Sequence, residues 1–384
     1  MKRILVFSTD DHLYPAGGAE QAFGNISERL PHIEFDLICA RLRRQTPRFE
    51  KVKNVSIYRI GFGIPKLDGI WLALFGHLYA YKLMRRKQYD LIWSIMATYG
   101  AFAAVRVKQK TNLPFLLTLQ EGDSLQYIYG KVRFVRRQFN AIFKNADAVQ
   151  AISRFLLNWG REMGYHGALG TVIPNGVNIS AFTKEYPAEA VAGARAAFGF
   201  PTDSTVVITS SRLEIKNGII DVIEALPSSP PHAYFVICGS GSLEAALKMR
   251  VDELGVTSRV KFMGFVQPSA LPLLFKASDI FIRPSHSEGL GNAFLEAMAA
   301  GLITVGTNVG GIPDFLRPNE NGFMVEISNP KSIADILAQI IAMDESAKAD
   351  MRLKAFLTVQ HTYDWEVVAK DMEILFNTVC TQSS

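Results

Sequence analysis

Two carboxylates separated by seven residues stand where a predicted strand gives way to a predicted helix. Glu288 follows an apolar run that ends at Arg283, and Glu296 lies about one and a half turns into a helix that begins near Gly291. Glycines at 289 and 291 let a ligand approach free backbone N–H groups, and a helix N-terminus suits phosphate oxygens. Carboxylates accept hydrogen bonds from vicinal hydroxyls. The segment predicts a sugar or ribose site; the alternative is a solvated turn glutamate and a surface glutamate.

A second loop, residues 210–218, also follows a strand and opens a helix. It carries Arg212 and Lys216, and two cations beside free N–H groups can neutralise a pyrophosphate. An ordinary surface pair is the alternative. The loop at Gly239 and the pair Gly17-Gly18 are placed to bring backbone donors to a nucleotide, although such short glycine turns are common without a ligand.

Alternating strands and helices along the whole chain must position these loops. The alternation predicts two doubly wound α/β halves with parallel sheets, in which ligands lie outside the carboxyl ends of the strands. The turn at 174–176 places the junction between domains 1–178 and 179–363, with the helix 364–384 completing the first. The predicted strands are 3–8, 35–40, 56–60, 91–94, 115–120, 148–152, 171–173, 206–210, 234–238, 260–263, 280–283 and 303–307.

Composition narrows the class of protein. The 384 residues suit two globular domains, and 48% of them are hydrophobic. Three widely separated cysteines favour a reduced, cytoplasmic setting. The N-terminal apolar run is too short for a signal peptide, and no stretch approaches the roughly 20 apolar residues of a membrane span. We therefore expect a cytoplasmic protein.

The charge is unevenly distributed between the two halves. Residues 1–178 carry 25 Lys and Arg against 13 Asp and Glu, whereas residues 179–384 carry 16 against 23. A basic half indicates an anionic partner: nucleic acid, an acidic glycan or an anionic membrane surface. Basic clusters lie beside aromatic residues in 61–87 and 131–137, which suits peripheral contact with anionic lipid. For residues 70–84 the alternative is a core helix with solvated ends.

Several strings in order along the chain resemble the family 4 retaining glycosyltransferases, which have two Rossmann-like domains facing across a cleft (the GT-B architecture). The specific one is the Glu288–Glu296 segment in its context. Supporting strings are Gly17-Gly18-Ala19-Glu20, Pro174-Asn175-Gly176, Ser211-Arg212-Leu213 with Lys216-Asn217-Gly218, Gly264-Phe265-Val266 and Ala277-Ser278-Asp279. The resemblance spans nearly the whole chain.

This resemblance implies a role for each matching residue in binding a nucleoside-diphosphate sugar. Arg212 and Lys216 would hold the diphosphate and stabilise it as it leaves, and Glu288 would face the donor sugar. Glu296 would bind the ribose hydroxyls. The remaining contacts would come from backbone near the sugar, the base or the phosphates: Gly289, Leu290 and Gly291; Gly239, Phe265 and Val266; and Gly18.

One departure from the family pattern concerns the acceptor side. Where members often have a histidine at a strand end, this chain has Gln120, which can bond a hydroxyl but cannot act as a base. Asp123 is then predicted to be catalytic, with Glu121 as the other polar group to test; ordinary surface acids are the alternative. The expected acceptor is a glycan or a lipid-linked glycan, as in polysaccharide or lipopolysaccharide biosynthesis.

The mechanism implied by the family is transfer with retention at the anomeric carbon, by attack on the face from which the diphosphate leaves. No cofactor is expected. No metal is expected either, because Arg212 and Lys216 neutralise the diphosphate. Two other classes remain open: a sugar-nucleotide epimerase or dinucleotide enzyme of the same architecture, and a non-catalytic basic binding protein, for instance for nucleic acid. Against the dinucleotide enzyme, neither half has G-x-G-x-x-G after its first strand.

Overall fold

The computed structural model describes residues 1–13 and 18–382, and the chain divides into two compact units. The first unit comprises Met1–Gly176 and Trp365–Ser384, and the second comprises Val177–Asp364. The junction expected from the sequence lies two residues from this division. Each unit has its own sheet and its own core, as expected for domains of this size.

The first unit alternates strands and helices along most of its length. Its strands are β1 (Lys2–Phe7), β2 (Ile33–Ala40), β3 (Phe49–Val52), β4 (Val55–Ile60), β5 (Leu91–Ile95), β6 (Phe115–Leu119), β7 (Ala148–Ala151) and β8 (Leu169–Val172). Its helices are α1 (Gly18–Arg29), α2 (Pro65–Met84), α3 (Tyr99–Lys108), α4 (Leu125–Val132), α5 (Arg136–Asn145) and α6 (Arg154–Glu162).

The second unit begins with two helices before its first strand. These are α7 (Ile179–Thr183) and α8 (Ala188–Ala196). The strands are β9 (Thr205–Ser210), β10 (Ala233–Cys238), β11 (Val260–Gly264), β12 (Ile280–Ile282), β13 (Ile303–Thr307) and β14 (Phe323–Val325). The further helices are α9 (Ile219–Ala225), α10 (Glu244–Glu253), α11 (Leu271–Lys276), α12 (Asn292–Ala300), α13 (Pro330–Ala342) and α14 (Glu345–Thr362); α15 (Trp365–Gln382) returns to the first unit.

The sheet of the first unit has eight strands in the order β3-β4-β2-β1-β5-β6-β7-β8. All its pairings are parallel except β3 with β4, so the edge departs from the wholly parallel sheet that we expected. Strand order reverses between β1 and β5: β1 pairs with β2 on one side and with β5 on the other. Loops at the carboxyl ends of these two strands therefore meet at a topological switch point.

The sheet of the second unit has six parallel strands in the order β11-β10-β9-β12-β13-β14. Here the reversal falls between β9 and β12. This is the strand order of a doubly wound nucleotide-binding fold, in which ligands bind beyond the carboxyl ends of the two central strands. The loops after β9 and β12 carry the cations and the carboxylates singled out in the sequence.

Apolar side chains from helices on opposite faces cover each sheet. In the first unit, Phe23 of α1, Phe35 of β2 and Trp93 of β5 form an aromatic cluster that Phe376 of α15 completes. All four are at most 2% exposed. In the second unit, α9, α10 and α13 supply the apolar residues against β9 to β14. These cores hold the strand ends, and hence the loops, in place.

Some local predictions were wrong or incomplete. Strands β3 and β14 were missed, since β3 is a short polar stretch and β14 has only three residues. Asp11, in the loop after β1, is 1% exposed, and its Oδ2 accepts a hydrogen bond from Arg59 Nε at 2.7 Å, a buried ion pair that the sequence did not reveal. In the described part of the chain, no helix has the length and apolar character needed to span a membrane.

Candidate functional site

The loop after β12 holds the first of the two predicted carboxylates. Arg283 Nη2 donates a hydrogen bond to Glu288 Oε2 at 2.6 Å, and the guanidinium stacks 4.9 Å from the ring centre of Phe294. Arg283 is 7% exposed, so this ion pair is shielded from water. Gly289 N donates to the other carboxylate oxygen at 3.2 Å. The Glu288 carboxylate is therefore held in one orientation at the start of α12.

Glu296 lies in α12, on the same short helix that Glu288 precedes. Its side chain is partly buried, and burial raises its carboxyl pKa to about 7, while the positive charge of Arg283 acts in the opposite direction. The two glutamates thus differ: one is ion-paired, and the other is surrounded by apolar residues of the helix. Gly291, with φ 101°, precedes the first helical residue, Asn292.

The predicted phosphate-binding loop after β9 packs directly against the loop after β12. His286 N donates to Lys216 O at 2.7 Å. Gly218 has φ 65°, and a Cβ there would lie 2.0 Å from Pro284 O. Only glycine permits this approach, because a side chain would meet backbone. The structure therefore brings the cation-bearing loop and the carboxylate-bearing loop together at the switch point.

The side chains of Arg212 and Lys216 differ in exposure. Arg212 is exposed and Lys216 partly exposed. The turn between them is fixed by Asn217, which is buried and whose Nδ2 donates to Arg212 O at 2.6 Å. Two cations are thus presented on an ordered backbone that contacts the loop after β12.

An interaction that the sequence did not reveal joins the loop after β12 to helix α9. His286 Nε2 lies 2.9 Å from Asp221 Oδ2 on α9. Asp221 is 5% exposed. The two residues are 65 positions apart, so no local sequence pattern links them. Only the expectation that both lie near the switch point could have predicted this contact. The same holds for Arg283, a single cation ending an apolar strand.

The other predicted residues of the second unit follow the neighbouring strands. Gly239 N, after β10, donates to Gly264 O, at the end of β11, at 2.7 Å. Phe265 follows and is 67% exposed, and Val266 is partly buried. On the other side, the loop after β13 reaches Glu288: a Cβ on Gly310 would lie 1.7 Å from Glu288 O. The second unit's predicted residues therefore share one edge of its sheet.

The first unit holds the remaining predicted residues. Gly18 is the first residue of α1 and is exposed; Gly17, predicted with it, lies outside the described residues. Asp123 is exposed, beyond the carboxyl end of β6. Gln120, at the same strand end, accepts a hydrogen bond from Asn175 Nδ2 at 3.2 Å.

Glu121 lies at a cavity of about 310 Å³ between the ends of β5 and β6 and helices α4 and α5. Ala97 N donates to Glu121 Oε1 at 2.8 Å, whereas Oε2 is buried and receives no hydrogen bond from the groups that the structure describes. Burial raises the pKa of this carboxyl to about 7. Asp123 and Lys131 also line the cavity, whose walls are otherwise mostly apolar: Met96, Phe102, Ile128, Val132, Val135 and Phe139.

The arrangement in the second unit is suited to an anionic ligand that also carries hydroxyl groups. Cations and helix N–H groups attract phosphate oxygens, and the carboxylates accept hydrogen bonds from hydroxyls. Within residues 1–13 and 18–382, no group of three or more His, Cys, Asp or Glu side chains is arranged to hold a metal ion.

Two doubly wound units, one with this site at its switch point, define an α/β protein of the two-Rossmann-domain class. The family described as Glycosyl transferases group 1 matches residues 193–355, and the family described as Glycosyltransferase Family 4 matches residues 16–181. The chain belongs to these glycosyltransferases. The resemblance stated from its motifs is thereby confirmed, and so is the predicted enzyme class. The epimerase and the non-catalytic binding protein find no support.

A curated relative matches along most of its length. The GDP-mannose-dependent monoacylated alpha-(1-6)-phosphatidylinositol monomannoside mannosyltransferase of Corynebacterium glutamicum is 26% identical over 300 residues, which cover 75% of this chain and 76% of the relative. Other curated glycosyltransferases are more identical over shorter stretches, 33% and 31%, and there the match spans only about half of their length.

Solved structures share the whole fold. Sucrose-phosphate synthase from Thermosynechococcus elongatus superposes with a TM-score of 0.84 at 22% identity, with 100% of both chains covered. Anabaena HepE in complex with UDP and glucose gives 0.79 at 19% identity, covering 98% of this chain and 100% of HepE. The expected GT-B fold of two Rossmann-like domains is confirmed.

Proposed function

We propose that this protein transfers a sugar from a nucleoside-diphosphate sugar to a glycan or a lipid-linked glycan, with retention at the anomeric carbon and without a metal ion. The observation that carries the proposal is the contact between the loops after β9 and β12. It joins Arg212 and Lys216, which suit a diphosphate, to Glu288 and Glu296, which suit hydroxyls. A nucleotide sugar has these groups in the same molecule.

The diphosphate is assigned to the cations and to the N-terminus of α12. Arg212 and Lys216 lie in a loop tied to the carboxylate loop by the bond from His286 N to Lys216 O. Two side-chain cations and the partial positive charge of a nine-residue helix stabilise the developing charge of a leaving diphosphate. Because these groups supply positive charge themselves, the transfer is proposed to need no divalent ion.

The two ends of the donor are assigned to the two glutamates. Glu288, held by Arg283, presents an oriented carboxylate to hydroxyls of the transferred sugar, and Gly289, Leu290 and Gly291 supply neighbouring backbone. Glu296 accepts hydrogen bonds from the ribose hydroxyls. Gly239, the exposed Phe265 and the partly buried Val266 contact the base. Gly18 is proposed to contact the phosphates of the donor.

Retention is proposed to follow from attack on the face from which the diphosphate leaves. The leaving phosphate oxygen then takes the proton of the acceptor hydroxyl, and catalysis depends on positioning and charge stabilisation. Support comes from the two carboxylates of the site: Glu288 is engaged by Arg283, and Glu296 is partly buried within α12. Neither arrangement is that of a free nucleophile at a sugar carbon.

The acceptor is assigned to the first unit. Asp123, proposed as catalytic, and Glu121 both line the cavity of about 310 Å³, so a polar acceptor hydroxyl and an adjacent apolar group both find partners there. The relative from C. glutamicum is named for GDP-mannose and an acylated inositol lipid, and HepE was solved with UDP and glucose. These names support a nucleotide-sugar donor and a lipid-linked acceptor for this chain.

We also propose a cytoplasmic location with peripheral contact to an anionic membrane through the basic first unit. The three cysteines of the chain are unpaired thiols, which suits a reducing compartment. The cytoplasmic location stays a prediction. The expectation that the enzyme needs no cofactor also stays a prediction. Nucleic acid is not proposed as a partner.

A thermal-shift screen tests the donor site. UDP, GDP, ADP and their sugars would be added to the intact protein, and a ligand at 100 times its Kd adds roughly 2.7 kcal/mol of stability. We expect the nucleotides of one base to raise the melting temperature. Lys216→Ala should weaken the binding of that nucleoside diphosphate by about ten-fold or more. Lys331→Ala, an exposed lysine of α13, is the matched control. If no nucleotide raises the melting temperature, the proposed function is wrong.

A further inference from the structure

Helix α2 has an apolar face that the rest of the protein does not cover. Its buried face includes Leu72, Ala80 and Leu83. The opposite face exposes six large apolar side chains, each 38–54% accessible: Leu67, Ile70, Trp71, Leu74, Phe75 and Leu78. Their spacing of three and four residues places them in one row about 16 Å long. We call this row the α2 ridge.

Aromatic contacts order the surface of the α2 ridge. The rings of Trp71 and Phe75 lie 4.3 Å apart between centres, and Phe62, which is 53% exposed and precedes the helix, lies 5.0 Å from Trp71. An ordered apolar patch of this size on a soluble unit usually marks an interaction site. Tryptophan and phenylalanine are also the side chains that favour the boundary between water and lipid.

The charges around the α2 ridge have one sign. Lys66 precedes it, and Lys82, Arg85 and Arg86 follow it; all four are exposed. The only acidic residue in 62–86 is Asp68, which is buried. Its carboxylate accepts hydrogen bonds from the N–H groups of residues 62–64 at 2.6–3.0 Å. The ridge therefore presents apolar and cationic groups without an exposed acid.

A second exposed patch lies at the turn between α4 and α5. Phe134 is 82% exposed and Val135 41%, and exposed basic residues flank them: Lys131, Arg133, Arg136 and Arg137. Residues 124–145 contain no acidic side chain. Helix α3 contacts both α2 and α5, and Tyr99 at its start lies against Gly69 of α2 while lining the cavity that holds Glu121. Lys131 and Val135 of the second patch line this cavity, and Tyr99 connects it to the buried side of α2.

We propose that the α2 ridge and the α4–α5 turn bind the surface of a bilayer that contains anionic lipid. Apolar side chains enter the boundary of the acyl chains, and the cations contact the headgroups. Pairing of two copies through this face would set cations against cations, whereas anionic headgroups neutralise them. The inference rests on the proposed function and deepens it, because it names the residues that contact the membrane. The cavity that holds Glu121 would then receive a lipid-linked acceptor from the bilayer.

Vesicle binding tests this surface directly. The full chain would be sedimented with vesicles of phosphatidylcholine alone, and with vesicles in which about one-third of the lipid is phosphatidylglycerol. We expect binding to the anionic vesicles that weakens as salt rises. The double variant Leu74→Asp with Leu78→Asp should lose at least about ten-fold in partitioning, and Arg85→Glu with Arg86→Glu about five- to ten-fold.

Ile374→Asp is the matched control. Ile374 is 54% exposed, like Leu78, but it lies on α15, which packs with α1 rather than with α2 and α3. Its vesicle binding should equal that of the unchanged protein. Equal losses in Ile374→Asp and in the ridge variant would overturn the proposal. So would a lack of binding to anionic vesicles at low salt, or a dimer that the ridge variant dissociates while vesicle binding is unchanged.

Nucleotide binding separates failure of this surface from failure of the proposed function. The ridge variants leave the second unit unaltered, so their thermal shift with UDP or GDP should match that of the unchanged protein. A retained shift without vesicle binding contradicts the membrane surface alone. Vesicle binding without any nucleotide shift contradicts the proposed donor site alone.

Discussion

At the scale of single residues, the orientation of the Glu288 carboxylate depends on Arg283 as much as on the position of Glu288 in the loop. The side chains of the pair are 8% and 17% accessible, so neither charge is fully solvated. Removing one partner of a shielded ion pair leaves the other without compensation. Arg283 is therefore a positioning residue: it orients a carboxylate that the proposed mechanism places against the donor sugar.

We predict that Glu288→Gln reduces transfer by about 100- to 1,000-fold, the usual cost of losing one oriented polar group in an active site. The amide keeps a hydrogen-bond acceptor for Arg283 but loses the charge. Binding of the nucleoside diphosphate, measured by thermal shift, should stay within about two-fold of the original, because Arg212 and Lys216 are unchanged.

Glu326→Gln serves as the control, since Glu326 is an exposed carboxylate of the same unit. Its transfer rate should be unaltered. If Glu288→Gln retains full activity, the role assigned to this carboxylate is wrong.

The buried carboxyl of Glu121 makes stability depend on pH. Its pKa is raised from 4.5 to about 7, so the folded protein keeps a proton that the unfolded chain loses. The free energy of unfolding therefore falls as pH rises from about 4.5 to about 7. Glu121→Gln should remove this dependence and stabilise the first unit by about 2 to 3 kcal/mol above pH 7, with little effect below pH 4.5.

Urea unfolding at several pH values measures this effect. A gain in stability that is the same at pH 4.5 and at pH 8 would contradict the assignment of a proton to Glu121. Glu28→Gln is a useful comparison, because Lys53 lowers the pKa of that exposed carboxyl and its contribution changes with pH in the opposite direction.

At the scale of elements, the site depends on how closely two loops approach. Strands β9 and β12 are neighbours in the sheet, and the backbone of Gly218 passes the carbonyl of Pro284 with no room for a side chain. Gly218 is also the residue directly before α9, which begins at Ile219. The loop geometry is thus set by backbone packing between two residues 66 positions apart, rather than by either loop alone.

Gly218→Ala should destabilise the second unit by at least about 2 kcal/mol, because it combines a left-handed backbone with a contact of 2.0 Å. Nucleotide binding should weaken as well. Gly193→Ala is the control: Gly193 lies within α8, and a Cβ there meets nothing within 4 Å. It should be neutral or stabilise by up to about 1 kcal/mol. Equal melting temperatures for the two variants would contradict this view of the loop contact.

At the scale of the whole molecule, the last helix belongs to a different unit from the helix directly before it. Helix α14 ends at Thr362 in the second unit, and α15 packs against α1 in the first. Its residues Trp365, Met372 and Phe376 are at most 5% exposed. The first unit therefore completes its core only after the second has been synthesised.

Phe376→Ala should destabilise the first unit by about 3 to 5 kcal/mol, since it empties a fully buried aromatic site. Calorimetry with and without the bound nucleotide checks this. We expect the variant to lower the transition of the first unit while the nucleotide still stabilises the second. Asn377→Ala, next on the same helix, is the control. A common shift of both transitions would show that the units unfold together.

Much of the site was predictable because its residues lie directly after apolar runs. Parallel strands end at a common edge, so Arg212, Gly239, Phe265 and Glu288 had to lie near one another once the strands were recognised. Asp11 and Arg283 were not predictable in the same way. Asp11 lies in a polar loop, and its partner Arg59 comes from a distant part of the chain. Arg283 lies at a strand end, and its partner Glu288 lies in a turn whose geometry no sequence pattern encodes.

The amino-acid sequence by itself determined the class of this protein: alternation of apolar and amphipathic segments specified two doubly wound units, and its motifs specified the family. Only the tertiary structure decided which charges are paired, which acids are buried and which face of α2 is left uncovered. The physical reason is that periodicity records whether a residue is apolar, whereas burial and pairing depend on contacts between distant segments. Both faces of α2 are apolar, and packing against α3, β2 and β4 decides which of them meets solvent.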